Sequence, residues 1–181
     1  MTIYLIGFMG SGKSYTAAAL AEHLGRPYID LDAVIERKEN RSISDIFAHD
    51  GEEIFRDLET KYLHTLTDPE LIVATGGGAP CFNDNLEWMN DWGITVFLDP
   101  SLDILVQRLT DARDHRPLLQ EESELRDIIT EKLKSRRPIY EQASLHLAYD
   151  DPHTPVVSRL AEYLENRTRD TEVPSKDRCS T

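Results

Sequence analysis

Cysteine is nearly absent from this 181-residue chain, with only Cys81 and Cys179. Two such distant thiols cannot make a disulfide framework or a zinc cluster, so free thiols in a reducing compartment are expected. Positive charge is scarce too. Twenty Lys and Arg face thirty-three Asp and Glu, a net charge of −13. That excludes the broad basic face a nucleic-acid or anionic-membrane binder needs, and any anionic substrate must be met by local basic clusters. No apolar run approaches the ~18 residues that span a bilayer. The first apolar run begins at Ile3, which leaves no room for a signal peptide. A soluble, cytoplasmic protein with neither a nucleic-acid nor a membrane partner is expected. No apolar stripe demands a protein partner, so a monomer is expected as well.

What is present is concentrated near the start. Gly7-Phe-Met-Gly-Ser-Gly-Lys-Ser14 is a complete G-x-x-x-x-G-K-[ST] loop, between the apolar run Ile3–Ile6 and the Ala- and Leu-rich stretch Tyr15–Leu24. Strand, glycine turn and helix together make a phosphate cradle. The backbone N–H groups and the positive helix end face phosphate oxygens. Lys13 can reach the β- and γ-phosphates, and Ser14 can ligate Mg²⁺. A nucleoside triphosphate is therefore expected.

Further apolar runs at 27–29, 71–75, 95–98 and 145–148 read as strands. Helical spacing fills 33–39, 44–67, 83–92, 102–109, 125–142 and 156–166. Such alternation predicts an α/β protein with a parallel sheet covered on both faces. Ser42 and Asp45 form a helix-start pair. One domain over 1–166 is expected. The polar stretch 112–123, with Arg113, His115 and Arg116, reads as a mobile excursion, and 167–181, where Val173 is the sole aliphatic residue, as a disordered tail.

The loop tells what is bound but not what receives the phosphoryl group. Open α/β sheets bind ligands at the carboxyl ends of their strands, and four groups of residues lie at such places. Asp30 and Asp32 share a face if that segment is extended, one serving Mg²⁺ through water and the other a substrate hydroxyl; alternatively Asp32 caps the next helix. Arg56 can grip a carboxylate with Glu59 orienting it, or the two form a solvated helical ion pair. Gly76-Gly77-Gly78 lets a ligand approach the main chain. Arg116, in Arg-Pro-Leu-Leu, and Arg136, in Arg-Arg-Pro-Ile-Tyr, are selective placements in so acidic a chain, whereas Arg113, Arg126 and Arg137 read as surface charges.

Taken in order, the loop Gly7–Ser14, Asp30-x-Asp32, Phe55-Arg56-x-x-Glu59, the glycine triplet and the two Arg-containing motifs resemble the shikimate kinase family, from Met1 to about Asn166. That resemblance implies ATP-dependent phosphorylation of the 3-hydroxyl of shikimate, in the pathway to the aromatic amino acids. It also implies a three-layer α/β/α P-loop fold around a five-stranded parallel sheet of order 2-3-1-4-5. A substrate-binding segment would span about 32–61 and a mobile lid about 112–123. By the same resemblance Gly10, Ser11, Gly12, Lys13, Ser14 and Tyr15 wrap the phosphates, and Ser14 with Asp30 serves Mg²⁺. Asp32 holds the shikimate hydroxyls and accepts the proton. Arg56 and Arg136 clamp the carboxylate beside Gly77 and Gly78. Arg116 reaches ATP from the lid, and the 151–154 loop with His153 lies toward the adenine, near which Arg108 is a further candidate. A gluconate kinase-like enzyme would account for the loop and lid but not for the triplet with Arg56 and Arg136. A non-catalytic nucleotide-binding module would be expected to lack an acceptor-site residue.

Overall fold

The computed structural model describes residues 1–112 and 119–171, the side chains of 119–122 and 167–171 excepted. Five strands, β1 (Thr2–Ile6), β2 (Tyr28–Asp30), β3 (Ile72–Ala74), β4 (Gly93–Pro100) and β5 (Leu145–Tyr149), form one sheet in the order β2-β3-β1-β4-β5. Every pairing is parallel: Ile3 faces Ile72 on one side and Ile94 on the other, Ile29 pairs Val73, and Val96 pairs Leu145. The central strands β1 and β4 are buried along their whole length, which is why they read as unbroken apolar runs rather than alternating ones.

Among the described residues seven α-helices cover the two faces: α1 (Lys13–Leu24), α2 (Leu31–Glu39), α3 (Ile43–Leu63), α4 (Asn85–Trp92), α5 (Leu102–Asp111), α6 (Leu119–Tyr140) and α7 (Val156–Thr171). Alternation along β1 divides the core. Ile3 and Leu5 join Ala17, Leu20 and Leu160 beneath α1 and α7. Tyr4 and Ile6 join Leu31, Ile35, Phe55, Leu86 and Met89 beneath α2, α3 and α4. A smaller cluster of Phe8, Leu105, Val106, Leu125 and Ile129 ties α5 and α6 to the glycine loop. Among the described residues no helix is long and apolar enough to cross a membrane.

Several boundaries differ from the sequence expectations by a few residues, and three differences bear on the site. Residues 44–67 read as one helix, but α3 is interrupted at Gly51, whose φ of 84° and ψ of 176° only glycine adopts without strain. Helix α6 starts at Leu119, inside the stretch expected to be lid, while 113–118 with Arg116 lie outside the described residues. Helix α7 runs to Thr171, past the expected start of the tail, and 172–181 with Cys179 lie outside the described residues. The helix-start pair forms as expected: Ser42 Oγ accepts from the Asp45 N–H at 3.0 Å and donates to its carboxylate at 2.6 Å.

Candidate active site

Strand β1 lies between β3 and β4, where the strand order changes direction across the sheet, so the loop leaving β1 opens into a crevice at the strand carboxyl ends. Residues 7–12 curl there, with the Ser11 N–H donating to Phe8 O at 3.1 Å. Lys13 is buried and folds back over the curl, its Nζ donating to the Gly7 and Phe8 carbonyls at 2.9 Å each. Burial pulls its pKa down to about 8, although Asp32 and Asp30 act in the opposite sense. The Ser11 hydroxyl is buried without a partner, an unspent donor inside the phosphate cradle.

Ser14 and Asp30 meet, the Ser14 hydroxyl donating to Asp30 Oδ2 at 2.5 Å. The other Asp30 oxygen accepts the backbone N–H groups of Asp32 (3.0 Å) and Ala33 (3.4 Å). Asp30 is thus the cap of α2, and Asp32 sits in its first turn. The extended 30–32 segment expected from the spacing does not form, and neither does a cap at Asp32. Because β2 passes directly into α2, the two carboxylates diverge. Asp30 turns to Ser14 and Asp32 toward the neighbouring cavity.

That cavity, about 350 Å³, is lined by Asp32, Arg56, Glu59, Arg136 and the glycine triplet, with Glu52 and Lys132 at its walls. Four sequence groups separated by more than a hundred residues converge there. Arg56 donates from Nη1 to Glu59 at 2.8 Å, and from Nε and Nη2 to Glu52 at 3.2 and 2.9 Å. The Phe82 ring lies 4.3 Å from the guanidinium carbon. Glu59 has no solvent exposure, so this is a buried pair and not the solvated one that spacing alone allowed. Burial pushes Glu59 up to about 7 against the pull of Arg56. Asp32 is raised as well, first by burial and then by Asp30. One oxygen of each, Asp32 Oδ1 and Glu59 Oε1, is buried without a partner.

The triplet is required by close approach. A Cβ on Gly76 would overlap Glu59 Oε1, and one on Gly78 would lie 2.5 Å from Arg56 Nη1. One on Gly77 would come within 3.1 Å of the Met9 N–H nitrogen, so the acceptor cavity and the phosphate loop share a wall. Tyr140 closes that wall from α6, its hydroxyl donating to Gly77 O at 2.5 Å; burial raises its pKa.

On the far side of the loop a cavity of about 390 Å³ is lined by Ser11, Gly12, Tyr15, Arg108, Tyr149 and His153, among others. Arg108 Nη1 donates to Gly10 O at 3.1 Å, and the Tyr149 hydroxyl donates to Ser11 O at 2.9 Å. His153 is held in its loop by its N–H to Asp151 at 2.8 Å. Tyr149 carries no motif and escaped the sequence reading.

So did Glu52 and Lys132, although each stands four residues before the Arg on its own helix, a spacing that places them on one face. Arg137, read as a surface charge, is partly exposed but not free. It pairs with Asp99, a residue only 8% exposed at the end of β4, and His146 Nε2 lies 2.7 Å from the same carboxylate. An acid at a strand carboxyl end was the available signal.

Among the described residues no group of three or more His, Cys, Asp or Glu could hold a metal by itself. A hydroxyl and a carboxylate 2.5 Å apart at the foot of the phosphate loop are instead the oxygen donors that Mg²⁺ takes alongside phosphates.

The shikimate kinase family model matches residues 9–166. A shikimate kinase of Bacteroides thetaiotaomicron is 42% identical over 171 residues, covering 90% of this chain and 98% of its own. A crystal structure of shikimate kinase from that organism superposes with a TM-score of 0.82 at 41% identity, over 91% of this chain and 98% of that one. The Acinetobacter baumannii enzyme in complex with shikimate gives 0.75 at 36%, over 96% and 95%. A gluconokinase from Sinorhizobium meliloti, at 21% identity and 0.55 over 92% of this chain and 97% of its own, shares the fold alone. A family model over most of its length and relatives at 36–42% identity over nine-tenths of it or more place this chain in the shikimate kinase family.

Proposed function

We infer that this chain is an ATP-dependent shikimate kinase that transfers the γ-phosphoryl group of MgATP to the 3-hydroxyl of shikimate, in aromatic amino acid biosynthesis. The observation that carries this reading is the cavity in which Arg56, Arg136, Asp32 and Gly76–Gly78 stand together, one glycine away from the phosphate loop. A small carboxylic acid bearing hydroxyls needs cations for the carboxylate and an anion for the hydroxyls. That wall-to-wall arrangement supplies both.

In this reading Arg56 and Arg136 hold the carboxylate, with Gly77 and Gly78 at its edge, while Arg116, which lies outside the described residues, reaches the ATP phosphates from the 112–123 lid. The 32–61 segment frames the acceptor. Asp32 orients the hydroxyls and receives the proton released when the oxygen bonds phosphorus. Its raised pKa brings it closer to the operating pH, as a base requires. Lys13 exchanges its bonds to Gly7 and Phe8 for the phosphates, joined by the N–H groups of Gly10 to Tyr15. Arg108, Tyr149 and His153 face the base. Ser14 and Asp30 are the residues that would hold Mg²⁺, which neutralises charge on the β- and γ-oxygens. The remaining catalysis is positioning and charge stabilisation.

The test is ADP release from MgATP with shikimate, quinate, gluconate or no acceptor. Turnover that depends on shikimate is expected, at about 1–100 s⁻¹. Equal release with every acceptor, or with none, overturns the assignment.

A further inference from the structure

Arg56 is the cation best placed to meet an acceptor carboxylate, and most of its hydrogen-bonding capacity is already engaged. Glu59 takes Nη1 at 2.8 Å, and Glu52 takes Nε and Nη2 at 3.2 and 2.9 Å. The two carboxylates are not equivalent. Glu59 has no exposure and is fixed in the core, whereas the Glu52 side chain is 57% exposed and reaches Arg56 from the cavity rim. Nε and Nη2 both donate to the single oxygen Glu52 Oε1, so Glu52 occupies the side-on edge of the guanidinium without the two-oxygen grip that an incoming carboxylate can make there.

We propose that Glu52 is an internal stand-in for the acceptor carboxylate: it sits on the Arg56 fork in the substrate-free protein, and the acceptor binds by displacing it into solvent. Three observations support the exchange. A third carboxylate arriving beside Glu52 and Glu59 would leave Arg56 outnumbered, and repulsion between like charges favours the departure of the exposed one. Glu52 has solvent to enter, so leaving costs no burial of charge. It also directly follows Gly51, where α3 is broken at φ 84°. A Cβ there would meet nothing within 4 Å, so the glycine is required by backbone conformation and not by crowding. Glu52 therefore starts a separate helical piece, free of the hydrogen-bond ladder that would hold it in mid-helix.

The exchange makes Glu52 an affinity-determining residue. It keeps Arg56 oriented and charge-compensated before substrate arrives, and each acceptor must outcompete it. A pair whose one partner is more than half exposed is weakened by solvent, so its displacement is easy but measurable.

This rests on the 350 Å³ cavity being the shikimate site, so the experiment separates the two. Shikimate affinity is measured by calorimetry on the wild-type protein and on Glu52→Gln, which keeps size and removes charge. Wild-type binding tests the site itself; its absence refutes the functional reading. Given wild-type binding, Glu52→Gln is expected to bind shikimate about two- to fivefold more tightly. Uncharged shikimate methyl ester, which brings no competing anion, should gain less than shikimate does. Unchanged or weaker shikimate binding by Glu52→Gln overturns the stand-in and makes Glu52 a support for Arg56. An equal gain for acid and ester also overturns it, since charge competition would not be the cause.

Discussion

Arg137 grips Asp99 with both ends of its guanidinium, Nη1 to Oδ2 and Nη2 to Oδ1 at 2.7 Å each, while its sequence neighbour Arg136 faces the acceptor cavity. Consecutive residues of one helix thus serve two jobs. Arg137 moors the last turns of α6 to the end of β4, and Arg136 is presented from that mooring. Tyr140 adds a second tie through Gly77. Arg137→Met should therefore raise the KM for shikimate about three- to tenfold with a smaller change in kcat, and Arg137→Lys should recover only part, because lysine cannot form the two-pronged contact. Steady-state kinetics with shikimate varied at saturating ATP checks this. A variant with lower thermal stability and an unaltered KM would show that the pair is structural only.

How far the sequence reaches is clear from individual residues. The fold class followed from apolar runs that are long because β1 and β4 are buried on both faces. The strand order did not follow from periodicity; it came from resemblance. The phosphate loop was legible because its spacing has one physical solution. Spacing made Asp30 and Asp32 legible as a pair and the resemblance alone proposed which does which, because their divergence depends on β2 passing into α2 without a loop. Asp99 and Arg137 lie 38 positions apart, and no local pattern connects them. Glu52 was hidden for a different reason: a carboxylate one turn before an arginine is common on exposed helices, and only the cavity gives it meaning.

Gly78 packs directly on the Arg56 guanidinium, with 2.5–2.6 Å between a built Cβ and the nearest guanidinium atoms. Gly78→Ala must push Arg56 from its place between the loop and Phe82. Overpacking of this kind costs about 1–3 kcal/mol. Shikimate affinity should fall at least about tenfold if that strain is relieved by moving Arg56. ATP affinity should stay near normal, since the phosphate loop touches Gly77 rather than Gly78. Titrations of each ligand separately would distinguish this from general unfolding, which would lower both.

Asp32 lines the cavity and carries one unpartnered buried oxygen. Asp32→Asn preserves its shape and removes its ability to take a proton. A fall in kcat of at least about 10²-fold is expected if it is the proton acceptor. Were the fall confined to KM, Asp32 would be a binding group and the proton would leave by another route. Rapid-quench measurement of the transfer step is the appropriate readout, because it is insensitive to product release.

Glu59 gives the pH dependence of stability a definite sign. Its pKa is about 7 in the folded protein against an ordinary value of 4.5, so between those values the native state holds a proton that the unfolded chain has released. Stability from this group is complete below about pH 4.5 and is lost as pH rises toward 7. That gap corresponds to a stabilisation on the order of 3 kcal/mol, undiminished by solvent because Glu59 is fully buried. Asp32, also raised, acts in the same direction. Glu59→Gln cannot titrate, so its stability should decline less between pH 4.5 and 7 than that of the wild type. Urea unfolding of both proteins across this range measures the difference directly. Parallel curves would mean that Arg56 keeps Glu59 ionised throughout, and that the buried pair is a fixed salt bridge rather than a proton-holding one.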